Sequence, residues 1–148
     1  MAENRNGRAP QLACVLADDH EQLLDDSEGV LRKEGVRIIG KSKTGVGVLQ
    51  ILEAQPVTAV VVDLRLPDLD GLDLARRVAE IARRKTAVVI YTNHADEQTV
   101  RDALDAGARA IVLKDGSPDN LLAALNAVAE GAIYVDPRIA RNGNEKSS

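Results

Sequence analysis

The sequence has almost no aromatic side chains. Tyr91 and Tyr134 are the only two, and there is neither Trp nor Phe. A core must therefore be built from Val, Leu, Ile and Ala, and the stacking platforms used by single-stranded nucleic-acid binders are missing. Cysteine is equally scarce. Cys14 stands alone in an apolar run, which excludes a disulfide framework and a thiolate metal site. No stretch approaches the roughly 20 apolar residues of a membrane span, and the opening MAENRNGRAP lacks the apolar centre of a signal peptide. Basic excess is absent as well: the formal net charge is −4, which argues against general affinity for DNA or anionic membranes. These absences lead us to expect a cytoplasmic protein with no membrane contact.

What is present suits one globular domain. The chain has 148 residues, 45% hydrophobic and 28% charged, enough for a single well-buried core and too few for two ordinary ones. Short apolar runs alternate with helical patterns about five times. Leu12 to Leu16 reads as a first strand, followed by a helix with Leu23, Leu24, Val30 and Leu31 at helical spacing and a stop at Gly35. Val36 to Gly40 is a short second strand. Thr44 caps the next helix, which Pro56 closes. Thr58 to Val62 is the most apolar strand, with a turn through Pro67 and Gly71 and a helix carrying Leu72, Leu74, Val78 and Ile81. Ala87 to Tyr91 and Arg109 to Leu113 are strands four and five, separated by a helix over 96–106 that Gly107 ends. Ser117-Pro118-Asp119 starts a last helix that Gly131 stops. Alternation of this kind with Val/Ile/Leu strands predicts an α/β fold, a parallel sheet covered on both faces. Five strands fit the doubly wound, flavodoxin-like order 2-1-3-4-5, a three-layer sandwich whose ligand crevice lies at the carboxyl ends of strands 1 and 3.

The polar residues at those ends are what point to function. In AVVVDLRLPDLDG (residues 59–71) an apolar run stops on Asp63. Strand 1 stops on Asp18 and Asp19, strand 4 on Thr92, and strand 5 on Lys114. Each alone reads as a strand end meeting water; together they ring one crevice. Two carboxylates about 4 Å apart repel by roughly 4 kcal/mol at an effective dielectric near 20. Three in one crevice must protonate, splay apart or hold a cation. Oxygen donors without a His or Cys cluster select a hard ion, and Mg²⁺ is the natural occupant. A carboxylate beside such an ion, facing an ammonium and a hydroxyl, suits a phosphoryl group, with Asp63 as nucleophile.

These motifs, VLADDH, VVVDLRLPDLDG, VVIYTNH and GARAIVLKD, resemble the receiver domain of two-component response regulators, the CheY-like superfamily. The ADDH opening, the LKD after strand 5 and GAIYVDPRIA resemble its NarL/FixJ-type branch. The resemblance implies phosphorylation of Asp63 by a sensor histidine kinase. It implies Mg²⁺ bound by Asp19, Asp63 and the Arg65 backbone carbonyl, with Asp18 acting through water, and phosphoryl contacts from Thr92 and Lys114. It also implies that Thr92 and the residue at position 111 switch the helix 4–strand 5–helix 5 face, with a homodimer on activation. The expected domains are a polar N-terminal extension (1–10), a receiver (11–131) and a linker-like tail (132–148). That tail is too short for a helix-turn-helix, so the chain is expected to be either a stand-alone receiver or part of a longer transcription regulator, reaching DNA only through an effector domain outside this chain.

The chain also departs from the family pattern. Ile111 stands where the family usually carries Tyr or Phe, Asn93 replaces a small residue, and Arg65 and His94 border the phosphoryl position. Two other readings stay open. One is a pseudo-receiver that binds a partner as a scaffold without phosphorylation. The other is an aspartate-nucleophile phosphatase of the haloacid dehalogenase type, which wants an Asp where Arg65 stands. His20 reads as a helix-start residue, Tyr91 as core, and Asp25, Asp26, Asp68 and Asp73 as solvated faces. Arg83-Arg84-Lys85 reads as a basic helix end favoured by the helix dipole.

Overall fold

The computed structural model describes residues 12–82, 85–114 and 118–139. The N-terminal extension 1–10, Arg83, Arg84, the Ser117 cap and residues 140–148 lie outside them. Strands β1 (Ala13–Ala17), β2 (Arg37–Ser42), β3 (Ala59–Val62), β4 (Ala87–Thr92), β5 (Ala110–Leu113) and β6 (Tyr134–Val135) form one sheet in the order β2-β1-β3-β4-β5-β6. Every pairing is parallel. Helices α1 (Glu21–Lys33), α2 (Gly45–Ala54), α3 (Gly71–Ala82), α4 (Glu97–Asp105) and α5 (Asp119–Ala129) make the crossovers. The fold is thus the doubly wound, flavodoxin-like arrangement expected from the sequence, with one strand more.

The composition explains the sheet. In β3 all four residues are buried, and each fully buried valine contributes about 1.5–3 kcal/mol over its exposed state. Alternate side chains then feed two cores. Val15, Val60, Val62, Ile90 and Ile111 face α2, α3 and α4, where Val48, Leu74, Val78 and Ala103 meet them. Cys14, Leu16, Val61, Val89 and Val112 face α1 and α5, against Leu24, Leu31, Leu121 and Leu125. Burial pushes the Cys14 thiol up to about 12, so it behaves as a small apolar side chain. Tyr91 is half-buried against this second core, as the strand alternation suggested.

Local signals set the helix ends. Thr44 accepts from the Gly47 amide as the cap of α2. Asp96 and Thr99 form a capping box on α4. Gly107 follows α4 with φ of 105°, a conformation that a Cβ disfavours. The sequence reads Asp68 as a solvated loop residue, and it is exposed, but it also holds a neighbouring element. Its carboxylate accepts from the amides of Gly45 (2.8 Å) and Val46 (2.9 Å), the first two residues of α2. Those two amides, which outweigh the residue's slight desolvation, hold the Asp68 carboxyl below the usual carboxylate range. The loop after β3 is thereby tied to α2. Replacing Asp68 with alanine is expected to lower stability by about 1 kcal/mol, comparable to the loss of an N-cap because two amides of the first turn lose their acceptor while Thr44 stays, read as a lower urea midpoint at unchanged slope.

The sequence predicts five strands and a linker-like 132–148, and over 134–139 the structure differs. Tyr134 and Val135 pair with Ala110 and Ile111 on the outer edge of β5. Residues 137–139 then turn in helical conformation. Asp136 is fully buried, and Ile139 is 1% exposed in the core that holds Ile111. The helix 4–strand 5–helix 5 face expected to switch is therefore covered at β5 by the chain's own residues 134–139.

Candidate functional site: a carboxylate cluster bridged by lysine

Strand register builds the site. Ala17 pairs with Val62, and the Asp63 amide donates to the Ala17 carbonyl at 3.1 Å. Asp18 and Asp63, the next residues on each strand, therefore stand side by side at the carboxyl ends of β1 and β3. Two strands away, Leu113 pairs with Thr92, and the Lys114 amide donates to the Thr92 carbonyl at 2.8 Å. The Lys114 side chain crosses from there. Its Nζ donates to Asp18 Oδ2 at 2.5 Å and to Asp63 Oδ2 at 2.6 Å.

The three charged side chains are nearly dry, at 4% (Lys114), 6% (Asp18) and 13% (Asp63) exposed. Burial alone would raise the Asp18 carboxyl. The bonds from Lys114 and the His20 amide, together with the lysine charge, outweigh it and hold Asp18 below the usual carboxylate range. Burial would likewise lower Lys114, but its bonds to Asp18 and Asp63 hold the ammonium above the ordinary lysine range. The lysine is a fixed cation at this rim.

The remaining oxygens face the other way. Asp18 Oδ1 accepts from the His20 amide at 2.9 Å, and Asp63 Oδ1 accepts from the Arg65 amide at 3.2 Å. His20 caps α1 with its backbone, as expected of a helix-start residue, but its Nδ1 also lies 3.1 Å from Asp18 Oδ1 and 3.0 Å from Asp19 Oδ1. Asp18, Asp19, His20 and Asp63 each offer a ligand atom within 4.8 Å of the others, a cluster able to hold a metal ion. Three carboxylates against one lysine leave negative charge that a hard cation would balance, so the donor set fits such an ion.

The remaining expected residues lie on neighbouring parts of the sheet and its loops. Thr92 is 6% exposed at the end of β4. Its hydroxyl makes two long contacts with His94, donating to the carbonyl at 3.4 Å and accepting from the amide at 3.5 Å. Arg65 follows Asp63 in an exposed turn closed by a bridge to Asp70, where the Gly71 amide donates to the Leu64 carbonyl at 2.7 Å. A Cβ on Gly71 would come within 2.7 Å of the Asp63 carbonyl oxygen. This glycine lets α3 start against the backbone that carries Asp63. Ile111 is fully buried and faces α4. Asp25 and Asp73 pair with Lys41 and Arg76 on the exposed surface, away from the cluster.

A flavodoxin-like sheet with carboxylates and a lysine converging at its switch point is the arrangement typical of a receiver-domain phosphorylation site. Comparison with known proteins agrees. The family model described as "Response regulator receiver domain" matches residues 14–126, and the chain belongs to that family. Membership places it among signalling receivers rather than enzymes acting on a separate substrate. It is 30% identical over 130 residues to the transcriptional regulatory protein UhpA of Salmonella typhimurium, covering 87% of this chain and 64% of that protein. An uncharacterized transcriptional regulatory protein of Bacillus subtilis, YhcZ, is 28% identical over 75% of this chain and 52% of its own length. The chain thus spans between about half and two thirds of these relatives. Among solved structures, the signal receiver domain of the putative response regulator NarL from Mycobacterium tuberculosis superimposes with a TM-score of 0.76 at 25% identity, covering 82% of this chain and 98% of that one. No helix among the described residues is long and apolar enough to cross a membrane.

Proposed function

We propose that this chain is a phosphoacceptor switch: Asp63 takes a phosphoryl group from the phosphohistidine of a sensor kinase. The observation that carries this reading is the Lys114 ammonium, fixed between Asp18 and Asp63 at 2.5 and 2.6 Å. In the transfer a carboxylate oxygen of Asp63 forms a bond to phosphorus as the bond from phosphorus to the donor nitrogen breaks. The electron pair of that bond stays on the imidazole. Lys114 already lies against the attacking carboxylate and would neutralise charge building on the phosphoryl oxygens. Bound Mg²⁺, held by Asp19, Asp63 and the Arg65 carbonyl with Asp18 behind water, would supply further charge neutralisation. Thr92 holds His94 only through contacts of 3.4 and 3.5 Å. A phosphoryl oxygen is a stronger acceptor and would draw that hydroxyl inward.

The phosphatase reading wants a second carboxylate two residues after the nucleophile, where the exposed Arg65 stands. The pseudo-receiver reading predicts a degenerate pocket; the contact of Lys114 with both Asp18 and Asp63 supports the phosphoacceptor reading instead. Several relatives are named transcriptional regulatory proteins, which supports regulation of transcription as the output, reached through an effector domain outside this chain. With a charge of −4, the chain itself would have little general affinity for duplex DNA. A cytoplasmic location follows from dependence on a kinase of that compartment. Incubation with acetyl phosphate tests the reading by intact mass. One added phosphoryl group that EDTA prevents is the expected result; steady release of phosphate from p-nitrophenyl phosphate would favour the phosphatase instead.

A further inference from the structure

The buried Asp136 is the one acidic side chain of the described residues that is fully buried, and it lies outside the cluster. It directly follows the edge strand β6 and lies against Leu113, the residue before Lys114. Its amide donates to the Ile111 carbonyl at 2.9 Å, and its Oδ2 accepts from the Leu113 amide at 2.9 Å. Arg138 completes the clasp. Its amide and Nε donate to Asp136 Oδ1 at 2.9 and 3.0 Å, and a terminal nitrogen reaches Asp136 Oδ2 at 2.6 Å. The same terminal nitrogen donates to the Leu113 carbonyl at 3.1 Å.

The peptide group joining Leu113 to Lys114 is therefore gripped at both ends. Its oxygen is held by Arg138, and its N–H by the Thr92 carbonyl. That one peptide touches the two residues expected to respond to a phosphoryl group, Thr92 and Lys114, and also the segment following α5. Ile111, by contrast, is fully buried and stiff about χ1. It cannot act as the swinging aromatic ring that the family usually places there.

We propose that Asp136 and Arg138 are positioning residues for Lys114, and that their grip on Leu113 carries the state of Asp63 to the segment after α5. This rests on the phosphoacceptor reading above. A buried carboxylate with two backbone donors and an arginine fork is a rigid anchor. A Lys114 drawn toward a phosphoryl group would pull on the 113–114 peptide, whose carbonyl Arg138 holds. Ile139 at 1% exposure packs in the same core as Ile111 and Ala103 of α4, so the motion reaches the α4 side of the same face.

Two measurements test this. In wild-type protein, beryllofluoride with Mg²⁺ should shift the amide signals of Leu113, Asp136, Arg138 and Ile139 together with those of Thr92. In Asp136→Asn and Arg138→Lys, the maximal rate of labelling by acetyl phosphate should fall by about tenfold, since misplacing a group by 1 Å can cost ~100-fold. The Mg²⁺ concentration at half-maximal rate should stay unchanged, a split that general loss of structure would not produce. Arg138→Lys keeps the backbone bonds to Asp136, so it reports on the fork even where Asp136→Asn loosens the segment. A wild type that is labelled while the Asp136, Arg138 and Ile139 amides stay still, or an Arg138→Lys variant labelled at the wild-type rate, would overturn the relay alone. A wild type that takes no phosphoryl group would overturn the phosphoacceptor reading and this inference with it.

Discussion

Replacing Lys114 with alanine should destabilise the metal-free protein by about 3–5 kcal/mol, the range found when one partner of a buried ion pair is removed. The lysine is 4% exposed and joins two carboxylates that are 6% and 13% exposed. Without it, Asp18 and Asp63 face each other with no counter-charge, and roughly 4 kcal/mol of repulsion at an effective dielectric near 20 must be relieved. The pH dependence follows from the two shifts. Asp18 sits below the ordinary carboxylate value, so its share of stability is present above pH ~4 and is lost as pH falls through its lowered value. Lys114 sits above the ordinary lysine value, so its share is present below pH ~10.4 and is lost as pH rises through its raised value. The gap between wild type and Lys114→Ala should thus be widest between about pH 4 and 10, and should close on acidification as the variant's carboxylates protonate. Mg²⁺ should stabilise the variant more than the wild type. Urea titrations across pH, with and without Mg²⁺, measure both effects. Lys114→Arg keeps the charge in a planar fork and should be intermediate; equal behaviour of the two variants would count against a direct role for the ammonium.

Asp19→Ala should have the second large effect, and it should fall on phosphorylation rather than on folding. Asp19 is exposed, and its Oδ1 pairs with the exposed His20, so its removal leaves the core intact. What it removes is one oxygen donor of the four-residue cluster. Changes even to outer-shell partners cost 10–100-fold in metal affinity, so loss of a direct ligand should raise the Mg²⁺ requirement for labelling by at least about 100-fold. The urea midpoint should move little. Labelling that is as fast in EDTA as in Mg²⁺, or an unchanged Mg²⁺ requirement in the variant, would contradict the assigned ligand set.

The residues of the rim were readable because each stands directly after an apolar run. Val62 before Asp63, Ala17 before Asp18 and Leu113 before Lys114 mark strand ends, and a parallel sheet brings all its carboxyl ends to one side. The strand order could be reached by elimination, since right-handed crossovers leave few alternatives. What escaped were contacts between residues far apart in the chain. Asp68 reads as an ordinary loop acid until α2 folds beside it, 23 residues away in sequence from Gly45. Asp136 and Arg138 lie in the polar stretch DPRIARNGNEKSS, and only the apolar Val135 and Ile139 beside them hint that the segment packs against the domain. A buried carboxylate satisfied by a distant backbone amide leaves no periodic trace. His20 was legible as a helix start, but its approach to two carboxylates depends on a side-chain direction that spacing does not encode.

The central claim is that Asp63 receives the phosphoryl group. Intact mass spectrometry of wild type and Asp63→Ala, after acetyl phosphate with Mg²⁺, tests it most directly. The account predicts one phosphoryl group on the wild type and none on the variant. An adduct that persists in Asp63→Ala, or one that maps to Asp18 or Asp19, would contradict it.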